Sequence, residues 1–150
     1  MDNWLRLSDI AVMTQGELHG EDVYVAGIST DTRKLSPGDL FVALQGERYD
    51  GHTFVDQSLG RLVKGAIVHK ETQADLPLIK VDDTLKALSR WSNAWRKKVN
   101  PKLVGITGSN GKTTVKQMIS SILSQDGCVC ATQGNSVSYT HLTLPTNREV

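Results

Sequence analysis

The segment TGSNGKTT, residues 107–114, most constrains what this chain can fold into. An apolar run, Leu103–Thr107, predicts a strand before it. Apolar residues spaced three and four apart over Val115–Leu123 predict an amphipathic helix after it. A strand, a glycine loop, a lysine with two hydroxyl residues and then a helix is the order that holds nucleoside triphosphates. The chain is therefore expected to be α/β with a phosphate loop.

Each residue type in this loop has a physical role. Gly108 and Gly111 allow the backbone to turn its amides towards phosphate oxygens, at the positive end of the following helix. Lys112 can reach the outer phosphates and is the expected catalytic group, while a Thr113 or Thr114 hydroxyl can bind Mg²⁺, with Thr113 preferred. The residues expected to contact ATP are Gly108, Ser109, Asn110, Gly111, Lys112, Thr113 and Thr114.

This loop is a variant, because Ile106 stands where the strict pattern has its first glycine. The alternative is a plain glycine turn with an incidental lysine. The strand predicted before the loop and the helix predicted after it favour a phosphate site over that alternative.

The rest of the chain also alternates between helix and strand patterns. A second amphipathic helix begins at Asp82 or Asp83 and ends near Val99, with basic residues in its last turn. Domains are expected over residues 1–82 and 83–135, followed by a tail, 136–150. Other helices are predicted over 8–16 and 54–62, and strands over 23–28, 40–44, 65–68, 78–81 and 128–132.

Composition excludes several classes of protein. Seventeen Lys and Arg against sixteen Asp and Glu leave a net charge of +1, which argues against a nucleic-acid partner. No apolar run approaches the roughly 18 residues needed to span a bilayer. No membrane insertion and a cytoplasmic location are expected.

Two segments carry a resemblance to a known family. TGSNGKTT resembles the ATP loop of the Mur ligases, the amide-forming enzymes of peptidoglycan precursor synthesis, although folylpolyglutamate synthetases have a similar loop. STDTRKLSPGDLFVALQGERYDGHTF, residues 29–54, looks like the segment with which the E and F types hold the UDP part of their substrate. TTVKQM, 113–118, and TQGN, 132–135, look more like the F type.

The resemblance implies a function. F-type members use ATP and Mg²⁺ to add D-alanyl-D-alanine to UDP-N-acetylmuramoyl-tripeptide, through an acyl phosphate, and a monomer is expected. It also implies a small N-terminal UDP-binding domain followed by the truncated start of a P-loop ATPase domain. The implied UDP-binding residues are Asp31, Thr32, Arg33, Gln45 and Gly46. For those that precede Pro37, the alternative is a local Asx or Ser/Thr turn ahead of that proline.

Three alternatives remain open. The chain could belong to the E type, which adds the third peptide residue, or could bind a UDP-sugar without catalysis. It could also be a P-loop NTPase unrelated to cell walls, which the match over residues 29–54 disfavours. The tail 136–150 looks foreign to the family, and the 150 residues by themselves are expected to be inactive.

Overall fold

The structure, a computed structural model, describes residues 5–46, 49–57, 59 and 62–132. These residues belong to two compact units, one reaching Val99 and the other starting at Asn100. The α/β fold class predicted from the sequence is confirmed, because parallel strands alternate with helices in the first unit. The tail 136–150 lies outside the described residues.

The strands of the first unit are β1 (Leu5–Arg6), β2 (Glu17–His19), β3 (Tyr24–Val25), β4 (Gly27–Ser29), β5 (Asp39–Val42), β6 (Val63–Val68) and β7 (Leu78–Lys80). Five of them form a sheet in the order β2-β7-β6-β5-β4. The strands β4 to β7 are parallel, and β2 pairs antiparallel with β7. A separate antiparallel pair joins β1 to β3.

Helices cover both faces of the sheet. The helices are α1 (Leu7–Thr14), α2 (His52–Gln57) and α3 (Thr84–Val99) in the first unit and α4 (Lys112–Leu123) in the second. In the strand β5, Leu40 and Val42 pack in one core cluster with residues of α1 and α3. Phe41 packs in the other with Val55 of α2. Burial on both faces explains why β5 reads as a continuous apolar run.

The helix α3 begins where the sequence predicts it. The side chain of Asp83 accepts hydrogen bonds from the amides of Leu85 and Lys86, at 2.8 and 2.9 Å, and so caps the helix. The compact units divide after Val99, so α3 belongs to the first unit, whereas the sequence predicted a domain boundary after residue 82. Its buried residues Leu88 and Trp91 share the core cluster of α1.

Several predicted strands differ in the structure. The segment 23–28 is divided between β3 and β4, which belong to different sheets. The segments 103–107 and 128–132 were predicted as strands but are not strands in the structure. A strand needs a hydrogen-bonded neighbour, and the described residues of the second unit contain no paired strand. The mostly exposed strand β2 was not predicted, since three residues are too few to show the alternation of a half-buried strand.

Candidate functional site

The phosphate loop of the second unit has the backbone that its glycines predict. Gly108 has a φ of +144° and Gly111 a φ of +76°, both in the region that favours glycine. The helix α4 begins directly after Gly111, so its first amides face the loop. A loop of this kind before a helix N-terminus suits an anionic phosphate.

The side chain of Lys112 lies across this loop. Its Nζ donates hydrogen bonds to the backbone carbonyls of Gly108 and Ser109, the latter at 3.3 Å. These two bonds hold the ammonium group over the turn. It can exchange these neutral carbonyls for phosphate oxygens, which carry full charge and accept stronger hydrogen bonds.

The hydroxyl residues follow in the first turn of α4. Thr113 and Thr114 are its second and third residues and both are exposed, as are Ser109 and Asn110. Within the described ranges, no group of three His, Cys, Asp or Glu side chains could hold a metal ion. A threonine hydroxyl and phosphate oxygens are hard oxygen ligands of the kind that Mg²⁺ prefers.

A shallow depression lies on α4, away from the loop. It is lined by Gln117, Met118, Ser121 and Ile122. It contains no titratable side chain, so we do not assign it to the candidate site.

The residues predicted to bind UDP follow two neighbouring strands of the first unit. Asp31, Thr32 and Arg33 come after β4, in a 3-10 turn over Thr32–Lys34, and Gln45 and Gly46 come after β5. Because β4 and β5 are adjacent and parallel, both groups lie at the same edge of the sheet. The carboxyl edge of a parallel sheet is where ligands of α/β proteins bind.

Asp31 and Arg33 form a bidentate pair. The Nε and Nη2 atoms of Arg33 lie 2.9 and 2.8 Å from the two carboxylate oxygens of Asp31, which also accepts from the Arg33 amide at 3.1 Å. These bonds from Arg33 lower the pKa of Asp31 to about 2. The local turn considered as the alternative therefore exists, and the exposed guanidinium still faces solvent.

Gln45 and Gly46 pair with residues that come shortly before α2. Gln45 forms a bridge with Asp50, and the Gly46 amide donates to the Tyr49 carbonyl at 2.8 Å. A side chain at Gly51 would bring a Cβ to 2.9 Å from the Cα of Ala43, so only glycine fits there. These contacts hold Gln45 and Gly46 at a defined position after β5.

The structure also reveals a polar cluster that the sequence did not predict, made of Asp50, His52, His69 and Lys70. The two histidine rings contact edge to face, with centroids 4.4 Å apart. Asp50 and His52 follow β5 whereas His69 and Lys70 follow β6, and only the parallel pairing of these strands joins them. The spacing of these four residues along the sequence does not indicate that they lie together.

Charge and burial shift two pKa values in this cluster. The ammonium of Lys70 and the hydrogen bonds from His52 hold the pKa of Asp50 well below its usual range. Burial lowers the pKa of His69, and the neighbouring ammonium of Lys70 acts in the same direction. At neutral pH the cluster thus contains an ionised Asp50.

Comparison with protein families gives two matches. The family described as Mur ligase family, catalytic domain, matches residues 24–125, and the Mur ligase middle domain matches residues 106–150. The second match includes residues 136–150, for which the sequence predicted no likeness to the family.

Two curated relatives cover most of the chain. The UDP-N-acetylmuramoyl-tripeptide--D-alanyl-D-alanine ligase of Escherichia coli is 43% identical over 129 residues, 86% of this chain and 28% of the relative. The UDP-N-acetylmuramoyl-L-alanyl-D-glutamate--2,6-diaminopimelate ligase of Clostridium perfringens is 38% identical over 123 residues, 79% of this chain and 25% of the relative. The chain thus spans about a quarter of the length of these relatives.

Solved structures agree with these relatives. A crystal structure of MurF from Acinetobacter baumannii is 37% identical with a TM-score of 0.71, covering 79% of this chain and 27% of that one. MurF of Thermotoga maritima, in complex with ADP, is 28% identical with a TM-score of 0.57, covering 67% and 24%. The match to the catalytic-domain family covers more than half of the residues of this chain, and the chain therefore belongs to the Mur ligase family.

Proposed function

We propose that this chain is part of an ATP-dependent ligase that adds D-alanyl-D-alanine to UDP-N-acetylmuramoyl-tripeptide in peptidoglycan precursor synthesis. The observation that carries the proposal is the phosphate loop at the start of α4, with Lys112 held over the loop carbonyls. The Escherichia coli relative, named for this reaction, supports the choice of substrates. The Thermotoga maritima structure, which contains ADP, supports ATP as the nucleotide.

The loop residues would assist transfer of the ATP γ-phosphoryl group to a carboxylate of the tripeptide. Negative charge accumulates on the transferring phosphoryl group, and preorganised donors stabilise it without reorganisation. Lys112 would supply one positive charge, and the amides of Gly108, Ser109, Asn110 and Gly111 would donate to phosphate oxygens. Mg²⁺ would be bound by the hydroxyl of Thr113.

The carboxyl edge of the first unit would hold the UDP part of the substrate. Asp31, Thr32 and Arg33 would approach it from the end of β4, and Gln45 and Gly46 from the end of β5. Their placement at one edge supports this assignment. Arg33 would act as a cation for the diphosphate, and the hydroxyl of Thr32 would bond the uracil edge.

The first unit would bind the UDP part of the substrate, and the second unit would bind ATP. We propose a cytoplasmic location, because the proposed reaction uses ATP and a UDP-linked precursor, which are cytoplasmic metabolites. We also propose that the protein is a monomer. Among the described residues, no helix combines the length and apolar character needed to cross a bilayer.

Nucleotide binding by the full chain tests the loop assignment. MgATP titrated into the chain should bind, and Lys112→Ala should weaken that binding at least tenfold, because it removes the cation that contacts the outer phosphates. Lys102→Ala is the matched control, since Lys102 is exposed in the same unit and lies outside the loop. Equal affinities for the two variants would contradict the assignment.

The ligation itself is tested in a full-length ligase that carries this chain as its N-terminal part. Phosphate release should require UDP-N-acetylmuramoyl-tripeptide and D-alanyl-D-alanine together. Lys112→Ala should reduce turnover by several orders of magnitude, because an outer-phosphate cation acts chiefly on the transition state.

The E-type reaction is the second candidate, and the similarity to the Clostridium perfringens diaminopimelate ligase favours it. The same assay separates the two. Phosphate release that depends on the UDP-linked dipeptide and diaminopimelate would assign the E type. UDP binding without phosphate release from either pair of substrates would indicate a non-catalytic binding protein.

A further inference from the structure

The cluster at the ends of β5 and β6 has no role in the function proposed so far. His52 is buried, with 4% of its surface exposed. Its Nδ1 lies 2.6 Å from Oδ1 of Asp50, and Oδ2 of the same carboxylate lies 2.5 Å from Nζ of Lys70. The order His52, Asp50, Lys70 thus leads from the interior to an ammonium group at the surface.

The hydrogen bonds of His52 define its tautomer. The backbone amide of His69 donates to Nε2 at 3.2 Å, so Nε2 carries no proton. The proton of the neutral ring is therefore on Nδ1, which donates it to Asp50. Since both ring nitrogens are engaged and the ring is buried, the imidazole is fixed in one orientation.

This fixed ring also fixes Asp50. The carboxylate accepts from Nδ1 and from the backbone amide of His52, the latter at 3.0 Å, on the same oxygen. The other oxygen is left for Lys70. An ammonium has three donors, and one N–H directed at Asp50 leaves two for a further acceptor.

The position of Lys70 relates it to the candidate UDP site. It follows β6, whereas Arg33 follows β4, and the two strands flank β5 on opposite sides. Neighbouring strands lie about 4.8 Å apart, so the ends of β4 and β6 are roughly 10 Å apart. Long cationic side chains from both sides can reach a diphosphate lying over the end of β5.

We propose that Lys70 is a second cation for the diphosphate of the nucleotide, and that His52 acts through Asp50 as its positioning residue. This inference rests on the proposed UDP site. The side chain of Lys70 is 41% exposed, enough for a ligand to reach the ammonium. The alternative is that the cluster only ties the loop after β5 to the end of β6.

Comparing UDP with uridine in titrations of the full chain separates binding from stability. Lys70→Gln should weaken UDP binding at least tenfold and leave uridine binding unchanged, because uridine lacks phosphate. Lys64→Gln is the matched control, as Lys64 is an exposed residue within β6 itself. Lys70→Arg should retain most of the affinity for UDP. Unchanged UDP affinity in Lys70→Gln would overturn the proposal.

Chemical acetylation of the wild-type chain gives a test that needs no variant to fold. UDP should protect Lys70 from acetylation and leave Lys64 as reactive as before, as read by mass spectrometry. Equal reactivity of Lys70 with and without saturating UDP would overturn its contact with the ligand.

The positioning role of His52 has its own signature. Nitrogen NMR shifts should show the Nδ1–H tautomer at neutral pH. His52→Asn, which keeps a donor near the Nδ1 position, should bind UDP more tightly than His52→Ala. An Nε2–H tautomer, or equal UDP affinities for the two variants, would overturn this role.

The outcomes also distinguish this inference from the proposed function. UDP binding that is insensitive to Lys70→Gln overturns the inference and leaves the proposed site standing. A wild-type chain that does not bind UDP overturns the site, and the inference with it.

Discussion

The hydroxyl of Thr84 donates a hydrogen bond to the backbone carbonyl of Ala43 at 2.9 Å. Thr84 is the first residue of α3, and Ala43 directly follows the central strand β5. Both residues are buried, at 2% and 0% exposure. This bond joins the start of α3 to the carboxyl edge of the sheet and helps explain why α3 belongs to the first unit.

Thr84→Val should therefore destabilise the first unit. Valine has nearly the same shape but no donor, so the buried carbonyl of Ala43 loses its partner, which costs about 1–3 kcal/mol. Urea unfolding followed by circular dichroism measures the change. Thr53→Val is the matched control, because its hydrogen bond to the Asp50 carbonyl is exposed and its loss should cost less than about 0.5 kcal/mol. Equal losses would contradict the role of the buried bond.

Asp83→Ala should remove the N-terminal cap of α3. Its carboxylate accepts from the amides of Leu85 and Lys86, and loss of such a cap costs about 1 kcal/mol. Asp83→Asn keeps a side-chain acceptor, so its loss of stability should be only about a few tenths of a kcal/mol. Thermal unfolding of both variants gives the comparison, and a larger loss for the asparagine variant would contradict capping.

The pH dependence of this cap has a definite sign. The backbone hydrogen bonds, with that of Lys86 first, lower the pKa of Asp83 from its ordinary value. A group whose pKa is lower in the folded state stabilises the fold above its unfolded pKa and loses that contribution as the pH falls. The stability gap between wild type and Asp83→Ala should thus be largest above about pH 4 and shrink in more acidic solution.

The pair of Asp31 and Arg33 gives a titration that can be measured directly. In the wild-type chain the carboxyl carbon of Asp31 should titrate with a midpoint near the pKa of about 2. Arg33→Ala should raise this midpoint part of the way towards the ordinary value of 3.8, because it removes the side-chain bonds, which are the largest cause of the shift, and keeps the bond from the backbone amide. Lys34→Ala should move it much less, as Lys34 acts only through distant charge. Any stabilisation from the pair is lost as the pH falls through this range.

Gly111→Ala should weaken binding of MgATP by about tenfold. A Cβ at Gly111 would meet nothing within 4 Å, but the φ of +76° costs a side chain roughly 1–2 kcal/mol. Gly105→Ala is the control, because Gly105 also has open space and its φ is not positive. Titration of MgATP into both variants separates the effect of backbone conformation from that of added volume. Equal weakening of MgATP binding in the two variants would show that added volume matters and backbone conformation does not.

Local features of the sequence were enough to predict most helices and the glycine turn that precedes α4. The α3 pattern of apolar residues, the cap at Asp82 or Asp83 and the stop near Val99 agree with the helix observed. The loop glycines were predicted correctly as turn residues, since a residue without Cβ adopts positive φ at little cost. Periodicity and capping act within one or two helical turns, so a sequence carries them without tertiary context.

Only tertiary structure decided which compact unit contains α3 and which residues form the polar cluster. Where α3 belongs depends on the core that buries Trp91, and the sequence shows only that the helix has an apolar side. His52 and His69 are 17 residues apart, and the pairing of β5 with β6 brings their rings together. Contacts between separate elements depend on which strands become neighbours, and strand order is a property of the whole fold that local patterns do not encode.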